Sequence, residues 1–130
     1  MSSSEAVTRG VRVQAESQYV PERSDPEKGV YFFAYQIRIS NEGDETVQLI
    51  SRHWMITDRN GVIEEVKGPG VIGEQPVIEP GEYHEYTSFC PLRTASGSMQ
   101  GTYRMVTEDG KSFDVEIAPC RLIFSKEMLH

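Results

Sequence analysis

Gly68, Pro69, Gly70, Val71, Ile72 and Gly73 fall in a GxGxxG spacing. In dinucleotide-binding units this spacing turns backbone N–H groups toward a pyrophosphate. That chemistry needs a helix after the third glycine, because the helix N-terminus supplies further donors and a favourable dipole. Here Glu74, Gln75 and Pro76 follow, then Val77, Ile78, Glu79 and Pro80-Gly81, a loop that ends in a turn. A Rossmann reading is excluded. What remains is a glycine-rich loop whose Gly68, Gly70 and Gly73 amides could form a nest for phosphate or pyrophosphate, supplemented by Lys67. Pro69 brings no donor to such a nest. The competing reading, favoured here, is that the glycines allow a tight bend and close backbone approach.

The other chemistry-bearing residues are sparse. His53, His84 and His130 are the only imidazoles, and no two have a spacing that aims both at one ion, so no metal site is expected. Ser51, Ser88 and Cys90 are nucleophiles without an evident base at a fixed spacing. In Arg52-His53-Trp54, strand alternation puts Arg52 and Trp54 on one face and His53 on the other, which splits any constellation. Trp54 is expected in the core and His53 hydrogen-bonded. Glu64 and Glu65 point to opposite faces and make no acid/base pair. No catalytic residue and no cofactor are assigned.

The elements that must hold these residues read as strands. Val11, Val13 and Ala15 alternate, as do Tyr31, Phe33, Tyr35, Ile37 and Ile39. Val47 to Thr57 carries apolar groups on both faces, with Leu49 and Met55 on one and Ile50, Trp54 and Ile56 on the other. Asn60-Gly61 predicts a hairpin in which both turn residues accept φ > 0. Further strands are expected around Tyr83–Phe89, Met99–Met105 and Phe113–Ile117, with Leu122 and Phe124 extending the last pairing. Some seven strands without a helical period predict an all-β, antiparallel sandwich of immunoglobulin-like or fibronectin type III-like topology, with a closed barrel as the alternative.

The chain of 130 residues reads as one domain over 1–130, with residues 1–8 a disordered serine-rich tip. No apolar run approaches the roughly 20 residues needed to span a bilayer, so membrane insertion is not expected. The start of the chain lacks the regions of a secretory signal, which predicts a cytoplasmic setting with Cys90 and Cys120 as free structural thiols. A net charge of −7 opposes binding to polyanions, and a local spot such as Arg121 with Lys126 does not reverse it, so nucleic acid is not an expected ligand.

Ordered blocks run along nearly the whole chain, from Val11 to Leu129. They are Phe32-Phe33-Ala34-Tyr35, Leu49-Ile50-Ser51-Arg52-His53-Trp54, Gly70-Val71-Ile72-Gly73-Glu74-Gln75-Pro76, Pro80-Gly81, Tyr86-Thr87-Ser88 and Gly97-Ser98-Met99-Gln100-Gly101-Thr102-Tyr103. Through them the sequence resembles the ApaG family, also called CorD. The resemblance implies a fibronectin type III-like sandwich with no established reaction. It also implies a link to cobalt resistance and magnesium efflux, and kinship with interaction domains of eukaryotic F-box and polymerase-delta-interacting proteins.

The expectation is therefore a non-enzymatic protein-interaction module whose partner protein is unidentified. An exposed edge strand or an apolar loop can carry such contacts, and Val71 and Ile72 are the predicted docking residues of the loop. Edge-to-edge pairing would also give a homodimer, which the sequence neither requires nor excludes. The alternative function is phosphate or pyrophosphate binding by Gly68 to Gly73.

Overall fold

A computed structural model describes residues 1–124. Lys126 and His130 lie outside the described residues. Among the described residues nine strands form two antiparallel sheets: β1 (Ser2–Thr8), β2 (Val11–Tyr19), β3 (Tyr31–Asn41), β4 (Val47–Asp58), β5 (Ile63–Pro69), β6 (Val77–Ile78), β7 (Tyr83–Leu92), β8 (Ser96–Thr107) and β9 (Ser112–Ile123). One sheet has the order β1-β2-β3-β7 and the other β5-β4-β8-β9, with the short β6 also paired to β4. The result is the expected antiparallel sandwich, with more strands than the seven read from the sequence.

Period-two alternation builds the core. Val13, Phe33, Ile37 and Ile39 of the first sheet face Leu49, Trp54, Met99, Tyr103, Met105, Val115 and Ile117 of the second, each at most 2% exposed. Two irregularities shift the alternation. The β4–β8 register slips between Leu49 and Ser51, so Ile50 is an extra residue and both Leu49 and Trp54 face inward. This corrects the facing expected for Leu49 and Trp54, which simple alternation puts on opposite faces. A second slip, opposite Ala118 and Pro119 in β9, brings Cys120 and Leu122 inward after Val115 and Ile117.

The N-terminal residues are a correction. Instead of a disordered tip, Ser2–Thr8 pair in register with Val11–Ser17 through a tight turn in which Arg9 and Gly10 both have positive φ, 49° and 82°. The serine-rich composition hides this strand because its side chains bond across the sandwich rather than packing. Ser4 Oγ donates to the Ala118 carbonyl at 2.9 Å, and the Glu116 N–H donates to Thr8 Oγ1 at 3.1 Å. The β4–β5 hairpin forms as expected, but its turn differs. Only Gly61 has positive φ, and the Asp58 N–H reaches the Val62 carbonyl at 2.9 Å across a three-residue loop.

Contacts of β1 and β2 with β9 close one long side of the sandwich; there Ser17 Oγ also donates to the Arg121 carbonyl at 2.5 Å. The opposite side is bounded by β5 and β7, each hydrogen-bonded, among the described residues, to a neighbouring strand on one side only. It is the open side of the molecule.

Candidate functional site

The open side gathers residues from four of the sequence blocks. In β4, the slip at Ile50 sets Arg52 opposite Tyr103 and Gly68, and Trp54 opposite Gly101 and Val66, all on the inward face. From the other sheet, Tyr35 on β3 and Tyr86 on β7 face them. Tyr35 lies 5.5 Å from Trp54 between ring centres, and Trp54 lies 6.2 Å from Tyr103 in an edge-on arrangement. The hydroxyls of Tyr86 and Tyr103 are hydrogen-bonded to each other. Burial pushes both phenols above their ordinary range. Arg52, Tyr35, Val66, His84, Tyr86 and Ser88 are half-buried, so the cluster borders solvent.

Arg52 also holds the glycine loop. Its Nη1 donates to the carbonyls of Pro69 and Gly70, each at 3.0 Å. Gly68 lies directly against it: a Cβ there would fall 2.9 Å from that nitrogen, so a larger residue would displace the guanidinium. Beyond β5 the chain makes a second tight hairpin. The Val71 N–H reaches the Glu74 carbonyl at 2.8 Å and the Glu74 N–H returns to the Val71 carbonyl at 3.0 Å, with Ile72 and Gly73 at the tip, φ 48° and 74°. Gly70 has φ 60°, and a Cβ on it would fall 2.1 Å from the Glu74 carbonyl oxygen.

The predicted anion residues are thus placed as follows. The amide of Gly70 is bonded to the Ile50 carbonyl at 2.8 Å, and those of Val71 and Glu74 to each other's residues. Carbonyls, rather than amides, meet the nearby Arg52. Lys67 faces outward from β5, and its Nζ lies 3.5 Å from Glu65. The glycine spacing has a structural reason in the left-handed backbone at Gly70 and Gly73, while Gly68 leaves the Arg52 guanidinium its present position.

Of the two docking residues, Val71 needs correcting. It is 1% exposed and part of the core, because the Val71–Glu74 bridge turns it inward; Ile72 alone, 62% exposed, stands out from the loop. Sequence reasoning could not separate them without knowing the turn.

The outer face of β4 carries the remaining polar groups. An open depression of about 450 Å³ is lined there by Ser51, His53, Lys67, Thr102, Arg104 and Asp114, among others. Its charges are largely matched in pairs. His53 Nε2 lies 2.5 Å from Glu65, and Arg104 Nε lies 3.1 Å from Asp114. The hydrogen bond from His53, with Lys67 nearby, holds the Glu65 carboxyl below its ordinary range. Ser51 shares this face with His53, yet no hydrogen bond joins them among the described residues. His84 lies on the other sheet, 3.8 Å from Glu74. Among the described residues no three His, Cys, Asp or Glu side chains gather around one point in a way that could hold a metal ion. Cys90 and Cys120 are buried free thiols, and burial pushes the Cys90 thiol up to about 12.

These features define an antiparallel β-sandwich with one closed side and one open side, the open side lined by an arginine and an aromatic cluster. The chain belongs to the ApaG domain family, whose model matches residues 21–107. It is 55% identical over 120 residues to Protein ApaG of Anaeromyxobacter dehalogenans (strain 2CP-C), covering 92% of this chain and 94% of that one. It is 51% identical over 126 residues to Protein ApaG of Beijerinckia indica, covering 95% and 97%. The crystal structure of the ApaA protein from Bordetella pertussis superposes with a TM-score of 0.87 at 49% identity, covering 89% of this chain and 94% of that one.

Proposed function

We propose that this chain is a non-enzymatic protein-interaction module that takes up an extended segment of a partner protein along its open side. The observation that carries this reading is the pair of half-satisfied edge strands, β5 and β7, on a long side that the described residues leave uncovered. Unpaired backbone donors and acceptors on such edges add a strand readily, and side chains between the sheets then select its sequence. Ile63 and Phe89, 62% and 48% exposed, supply apolar surface beside the two edges. Glu64, Glu65 and Lys67 on β5 keep an unoccupied edge from pairing indiscriminately.

We assign the module no catalytic residue. We place the module in the cytoplasm, the compartment that suits two free cysteines. The divalent-cation role implied by the family resemblance is then exerted through the partner rather than through a metal site of this chain. No specific observation favours the phosphate reading, since the loop's amides at Gly70, Val71 and Glu74 already have partners.

The test is a photo-crosslinking residue placed in living cells at Glu64 on β5, at Thr87 on β7, or at Asp114 on the outer face. Discrete crosslinked species from the first two positions and none from the third are expected. A species of twice the chain mass would identify edge-to-edge self-pairing as the occupant. Equal crosslinking from all three positions, or none from any, contradicts the reading.

A further inference from the structure

Arg52 is a half-buried cation on the inward face of β4, and among the described residues no carboxylate pairs with it. A chain with 20 Asp and Glu against 13 Lys and Arg could readily have supplied one. Only Nη1 is engaged, by the Pro69 and Gly70 carbonyls; the other guanidinium nitrogens have no acceptor among the described residues. Two residues on, Trp54 is 2% exposed and its indole Nε1 is buried with no hydrogen-bond partner. Its N–H is directed at the Tyr86 hydroxyl, but too loosely to make a well-formed hydrogen bond. Tyr86 and Tyr103 share a single bond between hydroxyls, which uses one hydrogen and leaves the other for a further acceptor.

The free guanidinium nitrogens of Arg52 can only donate, and the spare phenol hydrogen adds one more donor next to them. The complement of an unpaired cation flanked by such a donor is an anionic oxygen. Arg52 is also within reach from outside. Its guanidinium lies against Gly68 of the edge strand β5, where a Cβ would meet Nη1 at 2.9 Å and Nη2 at 3.0 Å, and Arg52 lines the open depression beside that strand.

We infer that Arg52, with the Tyr86–Tyr103 hydroxyl pair, forms a slot for the carboxylate of an Asp or Glu side chain on the extended partner segment laid along β5. The inference rests on the edge-docking reading above and adds the chemistry of the partner. One planar cation matches a carboxylate through its fork, whereas a phosphate dianion calls for more than one positive group. The neighbouring Lys67 faces the other side of the sheet and is paired with Glu65. The indole of Trp54 lies behind the slot, and as the only tryptophan of the chain it reports on occupancy.

The experiment titrates the whole chain with a short end-capped peptide of alternating Thr and Val, with a lysine at each end and Glu at its centre, following Trp54 fluorescence. The same peptide with Gln at the centre is the control. The Glu peptide is expected to bind about tenfold more tightly than the Gln peptide, the worth of one charge-assisted pair. Arg52→Gln should abolish that preference. Because Arg52 also holds the glycine loop, Tyr86→Phe is the second variant; it keeps the packing and should lower the preference about threefold or more by removing one hydrogen bond to the carboxylate. Equal binding of both peptides overturns the slot and leaves edge docking intact. Failure of both peptides to bind overturns the slot and the docking reading together. Inorganic phosphate displacing the Glu peptide at comparable concentration overturns the assignment to a peptide carboxylate.

Discussion

Replacing Gly70 and Gly73 separately by alanine distinguishes a structural glycine spacing from one that binds a ligand. Both residues have left-handed backbone, φ 60° and 74°, so each substitution carries a strain of about 1 kcal/mol. The surroundings differ. A Cβ at Gly73 meets nothing within 4 Å, whereas one at Gly70 would lie 2.1 Å from the Glu74 carbonyl oxygen. Relieving that overlap breaks the two hydrogen bonds between Val71 and Glu74, worth about 1 kcal/mol each. The expected losses are therefore about 1 kcal/mol for Gly73→Ala and about 3 kcal/mol for Gly70→Ala. At roughly 4 °C per kcal/mol for a domain of this size, the melting temperatures should fall by about 4 and 12 °C. Thermal and urea unfolding followed by circular dichroism read both quantities. Equal losses for the two variants would refute the argument that Gly70 is fixed by close approach to Glu74.

Four further outcomes follow from particular contacts. Ile72 is a β-branched residue at φ 48° on the exposed tip of a tight turn, so Ile72→Asn should raise stability by about 1 kcal/mol, while Val71→Asp should prevent folding, both read by urea denaturation. Glu65 is held below its ordinary 4.5 by the hydrogen bond from His53 and by Lys67, so its stabilising contribution is complete above that pH and is lost as pH falls through the lower folded value. Carboxyl NMR should show Glu65 titrating nearer 4.5 in the His53→Gln variant, and an unchanged midpoint would contradict the assignment. Cys90 and Cys120 are 3% and 0% exposed, and burial raises both thiols, so neither should react with a thiol reagent at neutral pH until the chain is denatured.

The sandwich is legible in the sequence because period-two alternation is unambiguous at Val11–Ala15, Tyr31–Ile39 and Phe113–Ile117, where one face is buried. It becomes unreadable where an extra residue enters a strand. Ile50 shifts the parity with nothing in its residue type to announce it, whereas at the second slip only Pro119 hints at a bulge. The strand Ser2–Thr8 is hidden for a different reason. Its polar residues are held by register with β2 and by hydroxyl bonds to β9, both of which depend on distant parts of the chain. The candidate site is legible in half. Alternation alone sets Arg52 and Trp54 on one face and His53 on the other, as the structure has them. Their meeting with Tyr86 and Tyr103 depends on how the sheets pack, and the unmatched donors of that cluster appear only in three dimensions. Val71 and Ile72 look equivalent in sequence, and the Ile72–Gly73 turn makes one core and the other surface.

The most direct measurement of the central claim is amide hydrogen exchange of the chain alone and with the Glu-centred peptide, resolved by residue. Edge docking predicts slower exchange along β5 (Ile63–Pro69) or β7 (Tyr83–Leu92), with β1 and β9 unchanged because they already cover each other. Protection that appears on β1 and β9 instead, or on no strand at saturating peptide, would contradict the account.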